Sequence, residues 1–151
     1  MSVPGRILAL DVGEKRIGLA VSDPLRLIAH PQGVVENRGR KTLTTIAQCA
    51  IEAQATIILI GMPYELDGSI GEQGKKVILF RDALVKRLQA ERELMKTVVE
   101  LWDERFTSEG AEHYIAGTGA RSAERRGLRD SVAASLILES YLQSLPPASA
   151  T

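Results

Sequence analysis

The segment from Ile7 to Ser22, ILALDVGEKRIGLAVS, places a single carboxylate at the end of an apolar run. Ile7–Leu10 is continuously apolar, which is typical of a strand covered on both faces in the middle of a sheet. Asp11 follows this run, Gly13 is expected to allow a tight turn with a positive φ, and Ile17–Val21 resumes the apolar pattern. The segment therefore predicts a β-hairpin, in which Asp11 either accepts hydrogen bonds from turn amides or belongs to a site.

The composition argues against secreted and membrane-spanning classes of protein. The 151 residues fit one domain, expected over residues 1–145 with a flexible tail at 146–151. Cys49 is the single cysteine of the sequence, which leaves no disulfide within the chain and no thiolate metal site. The sequence shows no signal pattern and no apolar run near the roughly 18 residues of a membrane span. We expect a cytoplasmic protein without a membrane partner.

Basic residues cluster although the chain carries 19 basic and 19 acidic residues. Lys15 and Arg16 fall in the predicted hairpin turn, and a second cluster follows late in the sequence. The second cluster consists of Arg121, Arg125, Arg126 and Arg129. Each cluster is either an ordinary solvated surface or a contact for phosphates.

The rest of the chain predicts alternating strands and helices. Leu25–Ile28 and Val34–Val35 suggest an interrupted third strand, which Pro31 restricts to a sheet edge. The further predictions are a helix at Thr42–Ala53, a strand at Thr56–Ile60, a loop at 61–74, a helix at Gln73–Leu94, a strand at Val98–Trp102, a helix at Thr107–Ala116, a loop at Gly117–Gly127 and a helix at Asp130–Leu145. This order predicts an α/β fold with a mixed five-stranded sheet flanked by helices. The first strand is expected at its centre, parallel to the fourth and fifth.

Acidic residues fall at the ends of these elements. Asp11 ends the first strand, Asp103 and Glu104 end the fifth, and Asp130 is expected to open the last helix. Sites in such sheets lie at the carboxyl ends of the strands. Converging carboxylates without His or Cys ligands favour hard divalent cations such as Mg²⁺ or Mn²⁺, and two such ions about 4 Å apart would serve phosphodiester hydrolysis.

Four motifs resemble the YqgF family, also called RuvX, a bacterial group with the ribonuclease H fold related to the RuvC resolvases. The motifs are ALDVGEKRIGLAVSD at 9–23, GMPYELDGS at 61–69, DERFTSEGAE at 103–112 and RDSVAASLILESYL at 129–142. The resemblance implies a ribonuclease H-like fold and a cytoplasmic, metal-dependent nuclease that acts on structured RNA or branched DNA. Two roles are implied, trimming of pre-16S ribosomal RNA and cleavage of Holliday junctions. The chain could act as a monomer or a homodimer.

The resemblance also assigns residues to a site. The acidic triad of the family falls on Asp11, on an acid of the DER motif and on Asp130. Strand alternation puts Glu104 and Asp103 on opposite faces, and the family similarity favours Glu104 as the ligand, with Asp103 as the alternative. Substrate phosphates would be neutralised by Lys15, Arg16, Arg105, Arg125, Arg126 and Arg129. For Arg105, bracing of the neighbouring carboxylates is the alternative role, and it is slightly favoured over a substrate contact.

Two other classes of protein share parts of this pattern. An Asp-x-Gly motif followed by a basic hairpin also opens the actin-like phosphotransferases, but 151 residues supply only one of the two domains that they close over nucleotide. The second class is a nucleic-acid-binding module of the same fold without catalysis. The presence of all three acids weighs against it.

Overall fold

The computed structural model describes residues 3–106 and 122–146, and it describes side chains for 3–105 and 130–146. In this part of the chain, five strands form one sheet between helices. The strands are β1 (Arg6–Val12), β2 (Arg16–Ser22), β3 (Ala29–Glu36), β4 (Ala55–Met62) and β5 (Val98–Asp103). The helices are α1 (Arg40–Ala53), α2 (Glu72–Gln89) and α3 (Ser122–Ser144), with 3₁₀ turns at Arg92–Leu94 and Glu104–Phe106. None of the helices in these residues is long and apolar enough to cross a membrane.

The sheet is mixed, with strand order β3-β2-β1-β4-β5. β1 pairs antiparallel with β2 and parallel with β4, β2 pairs antiparallel with β3, and β4 pairs parallel with β5. The predicted α/β architecture is therefore confirmed, including the central position of β1 and its parallel pairing on one side. The carboxyl ends of β1, β4 and β5 lie at the same edge of the sheet.

Each face of the sheet has its own apolar core. Leu8 and Leu10 of β1 face the side covered by α1 and α2, whereas Ile7 and Ala9 face α3. Successive side chains alternate between the faces, so Asp11 belongs to the face that α3 covers. Small residues on that face, such as Ala9 and Ala20, let the helix lie close to the strands.

The third strand differs from its prediction at its start. β3 begins at Ala29, and Leu25–Ile28 forms a turn instead of a strand. The Asp23 carboxylate accepts hydrogen bonds from the backbone N–H groups of Leu25, Leu27 and Ile28, which ties this segment into a turn. The edge position expected from Pro31 is confirmed, and the register between β2 and β3 shifts beside it, between Leu19 and Ala20.

Two helices have different bounds from those predicted. α2 ends at Gln89 rather than continuing to Leu94. A longer helix would have turned the charged Glu91 and Arg92 towards the core after Leu88, and Leu94 is buried through a separate 3₁₀ turn. The loop predicted at Gly117–Gly127 is wrong from residue 122 onwards, because α3 already begins at Ser122. The helix predicted at Thr107–Ala116 lies outside the described residues.

Candidate active site

Asp11 lies in β1 between two strand glycines. Its register partner on β2 is Gly18, and Gly61 follows the β4 residue that pairs with Leu10. A Cβ atom at Gly18 would lie 1.9 Å from the backbone oxygen of Asp130. A Cβ atom at Gly61 would lie 2.6 Å from Glu104 Oε2. Both glycines therefore open the space through which the other two acidic residues approach Asp11.

Glu104 shares a hydrogen bond with Asp11. Burial, followed by the charge of Asp11 and the shared hydrogen bond, raises the pKa of Glu104 to about 7. Burial and the charge of Asp130 raise the pKa of Asp11 to about 6, against a lowering by the hydrogen bond with Glu104. Because this hydrogen bond favours ionised Asp11 and protonated Glu104, Glu104 is the proton donor of the pair. The two carboxyl groups hold one proton between them near neutral pH.

Asp103 lies apart from this pair. Arg105 binds its carboxylate through Nη2, at 2.6 Å from Oδ2, and through Nε, at 2.9 and 3.1 Å from its two oxygens. This ion pair holds the pKa of Asp103 below its usual range. Of the two acids that the sequence offered at the end of β5, Glu104 is therefore the one that lies beside Asp11. Its role as a ligand stays a prediction.

Asp130 lies in the interior of α3 and does not open the helix, so that prediction is wrong. The helix has run for about two turns from Ser122 when it reaches Asp130. The helix continues through Gly127, although a glycine in a helix interior costs roughly 1 kcal/mol relative to alanine. Asp130 is held by Arg16, whose Nε lies 2.7 Å from Oδ2.

Ser131 fixes this part of α3 to the sheet. Its hydroxyl accepts a hydrogen bond from the backbone N–H of Gly33 at 3.0 Å and donates to the carbonyl of Leu19 at 3.3 Å. Both backbone groups lie at the register shift between β2 and β3, where the regular ladder is interrupted. The Ser131 hydroxyl thereby bonds to one backbone group in each of β2 and β3, and it holds the neighbouring Asp130 over β2.

The acidic groups offer the ligand atoms that a hard cation prefers, but they are not arranged as a ready metal site. Among the described residues, no three His, Cys, Asp or Glu side chains are grouped as a ready metal site. Asp130 pairs with Arg16, while Asp11 and Glu104 contact each other. The donors are nevertheless all carboxylate oxygens, the type that Mg²⁺ and Mn²⁺ prefer. Burial, followed by the charges of the neighbouring acids, raises the pKa values of Asp11 and Glu104, and a divalent cation bound between the two would stabilise their ionised forms.

The predicted phosphate contacts fall into separate groups. Lys15 is exposed in the turn of the β1–β2 hairpin, and Arg16 is half-buried against Asp130. Arg105 binds Asp103 and also reaches the Glu65 carbonyl oxygen at 3.4 Å. The side chains of Arg125, Arg126 and Arg129 on α3, and all of Arg121, lie outside the described residues. The structure thus brings Lys15 and Arg16 to the edge of the sheet that carries Asp11.

Several residues that shape the site were not singled out from the sequence. The acids are positioned by Gly18, Gly61 and Ser131. For the two glycines the sequence carried a usable signal of this role, because each lies in an otherwise apolar strand. Gly13 was singled out for the wrong reason, because the expected positive φ is not found there. Position 13 instead has no room for a side chain, because an added Cβ atom would lie 2.7 Å from the Arg16 carbonyl oxygen.

The fold and the site define an α/β protein with an acidic centre at the carboxyl edge of a mixed sheet. Sequence comparison gives the family. The sequence model of the RuvX family, described as Holliday junction resolvase, matches residues 5–144, and the chain belongs to this family.

Relatives with similar sequences span more than nine-tenths of the chain. A protein of Syntrophus aciditrophicus (strain SB) is 40% identical over 141 residues, which are 93% of this chain and 89% of the relative. A protein of Roseiflexus sp. (strain RS-1) is 38% identical over 144 residues, 95% of this chain and 97% of the relative. Both are named "Putative pre-16S rRNA nuclease". The solved structure of T. thermophilus RuvC in complex with Holliday junction substrate aligns with 92% of this chain and 95% of its own, at 15% identity and a TM-score of 0.49.

Proposed function

We propose that this chain is a divalent-metal-dependent nuclease that hydrolyses phosphodiester bonds in structured nucleic acid. The observation that carries the proposal is the buried pair of Asp11 and Glu104, two carboxyl groups that share a hydrogen bond at the carboxyl edge of the sheet. Membership of the RuvX family and the names of the relatives support nuclease chemistry over other uses of such a pair.

Asp11 and Glu104 would hold the cation, and Asp130 would complete the set of carboxylate ligands. Mg²⁺ or Mn²⁺ bound there would supply Lewis acidity towards water and phosphate oxygens, and a two-metal site is the arrangement we favour. Because the raised pKa keeps Glu104 largely protonated below about pH 7, cation binding there would compete with this proton. Asp11 lies in β1, Glu104 in the 3₁₀ turn that directly follows β5, and Asp130 in α3.

Arg16, which pairs with Asp130, is also proposed to contact the substrate. Its guanidinium neutralises Asp130 at 2.7 Å, and Lys15 beside it is exposed to solvent. We infer that Lys15 and Arg16 contact phosphates next to the scissile bond, where they would position the backbone without selecting a base sequence. Arg125, Arg126 and Arg129 are proposed to extend this contact along α3, and Arg105 to add a positive charge at the end of β5.

Matched substrate panels test the proposal. Wild type and Asp11→Asn would be assayed with Mg²⁺ or Mn²⁺ on four-way DNA junctions and on pre-16S rRNA fragments, with linear duplexes of the same sequences as controls. We expect wild type to cleave at least one branched or folded substrate, and Asp11→Asn to bind it without turnover. Binding by wild type without cleavage under any of these conditions would instead favour a non-catalytic nucleic-acid-binding module.

A further inference from the structure

The loop between β4 and α2, residues 63–71, presents a leucine to solvent beside the candidate active site. Leu66 is 96% exposed, the highest value among the large hydrophobic side chains in the described residues. Met95 and Leu79, which follow it, are 73% and 69% exposed. Packing in the apolar core therefore does not explain why position 66 is a leucine.

The loop that carries Leu66 is closed by its own hydrogen bonds. The Asp67 carboxylate accepts from the backbone N–H of Ser69 at 2.9 Å and from its hydroxyl at 2.6 Å. Glu65 N–H donates to the Ser69 carbonyl at 2.8 Å, and Gly68 N–H donates to the Glu65 carbonyl at 2.8 Å. Leu66 therefore lies in a turn that is already formed, so little backbone conformational entropy would be lost when its side chain is buried.

The same loop is fastened to the end of β5. Arg105 directly follows Glu104, and its Nη1 donates to the Glu65 carbonyl oxygen at 3.4 Å. Its guanidinium carbon also lies 5.7 Å from the centre of the Tyr64 ring, within cation–π range. Arg105 thus holds Glu65, the residue before Leu66. Arg105 itself follows Glu104, a proposed metal ligand, so Leu66 lies near the candidate site.

The acidic residues on either side of Leu66 are engaged within the loop. Asp67 binds Ser69, and the Glu65 carboxylate lies over Gly71 at the start of α2, 2.2 Å from the position of a Cβ there. The hydrogen bonds from Ser69, and to a smaller extent the positive charge of Arg105, lower the pKa of Asp67. The loop therefore offers a neighbour two exposed apolar side chains, Leu66 and the less exposed Ile70, close to the guanidinium group of Arg105. This is a smaller apolar surface than the broad patch of a protein interface.

We propose that Leu66 is a wedge that inserts between bases next to the scissile phosphate and so selects branched or end-frayed nucleic acid over continuous duplex. This inference rests on the proposed nuclease function. Apolar side chains of this kind enter base steps and partly unstack them. Unstacking costs least where a base is already unpaired or poorly stacked, which makes the wedge a selector for branch points and for boundaries between duplex and single strand.

Fluorescence of 2-aminopurine tests the wedge separately from cleavage. The base analogue would be placed at the branch point of a four-way DNA junction and at the duplex boundary of a folded RNA, with Ca²⁺ in place of the active metal. We expect fluorescence to rise when wild type binds, and the rise to be lost in Leu66→Ala. The matched control is Leu79→Ala, which removes a similarly exposed leucine from α2 and should behave as wild type. Thermal melting should be unchanged in both variants because neither side chain is buried.

The effect on selectivity has an expected size. Losing the burial of one leucine side chain between bases should lower the preference for branched over linear substrate by roughly 10- to 150-fold. Equal preference in Leu66→Ala and Leu79→Ala, or cleavage by wild type without any fluorescence change at the labelled sites, would overturn the wedge and leave the proposed nuclease in place. A wild-type chain that neither binds nor cleaves these substrates would overturn both proposals.

Discussion

Gly18→Ala tests how the sheet positions the third acid. The added Cβ would lie 1.9 Å from the Asp130 backbone oxygen, whereas ordinary contact begins at 3.4 Å, so α3 and β2 would have to separate by about 1.5 Å. Overpacking of this kind costs about 1–3 kcal/mol of stability. A displacement near 1 Å in a catalytic group can cost about 100-fold in rate. We therefore expect Gly18→Ala to fold with reduced stability and to lose about 100-fold in turnover.

A second variant separates displacement of Asp130 from loss of stability. Leu88 is 3% exposed in α2, on the opposite face of the sheet. Leu88→Ala should cost about 2–5 kcal/mol, at least as much as Gly18→Ala, without moving Asp130. Unfolding in urea and cleavage rates at a temperature where both variants are folded give the comparison. Wild-type turnover in Gly18→Ala, or an equal loss in Leu88→Ala, would refute the positioning argument.

Three further predictions concern the acids and the basic cluster. Glu104→Gln should abolish turnover while Asp103→Asn retains it, as measured by cleavage, and the reverse result would move the ligand to Asp103. Because the folded-state pKa values of Asp11 and Glu104 are raised to about 6 and about 7, their contribution to stability is complete below about pH 4 and is lost as pH rises through 6 to 7. Metal-free Glu104→Gln should therefore gain stability relative to wild type as pH rises from 5 to 8, by on the order of a few kcal/mol. Thermal melting of both proteins across that range measures the gain. A stability difference that does not change with pH would contradict the shared proton. Arg125→Ala combined with Arg126→Ala should lower affinity for duplex DNA and reduce the slope of log affinity against log salt by roughly one unit per lost contact, with little change in melting temperature; an unchanged slope would remove both residues from the binding surface.

The sheet could be predicted from the sequence because its strands carry strong local signals. Ile7–Leu10 is apolar on both faces, and Pro31 cannot lie within a central ladder, so the centre and one edge of the sheet followed from residue type alone. Alternation along β5 placed Glu104 and Asp103 on opposite faces, and the family resemblance favoured Glu104. The structure places Glu104 beside Asp11.

Other features depend on contacts between distant residues. The turn at Leu25–Ile28 forms because the Asp23 side chain binds backbone groups there, although those apolar residues alone suggest a strand. The position of Asp130 depends on its pairing with Arg16, 114 residues earlier in the chain. The role of Gly18 becomes visible only when β2 and α3 are placed together. Local propensity could not supply these three contacts.

Locating bound Mn²⁺ tests the central claim most directly. Crystals of wild type soaked in Mn²⁺ would be measured near the manganese absorption edge, where the anomalous signal identifies the ion. We predict a peak within bonding distance, about 2.0–2.2 Å, of carboxylate oxygens of both Asp11 and Glu104, and its loss in Asp11→Asn. An enzyme that cleaves nucleic acid with Mn²⁺ while its crystals show the ion elsewhere, and none between these two residues, would contradict the assignment of the site.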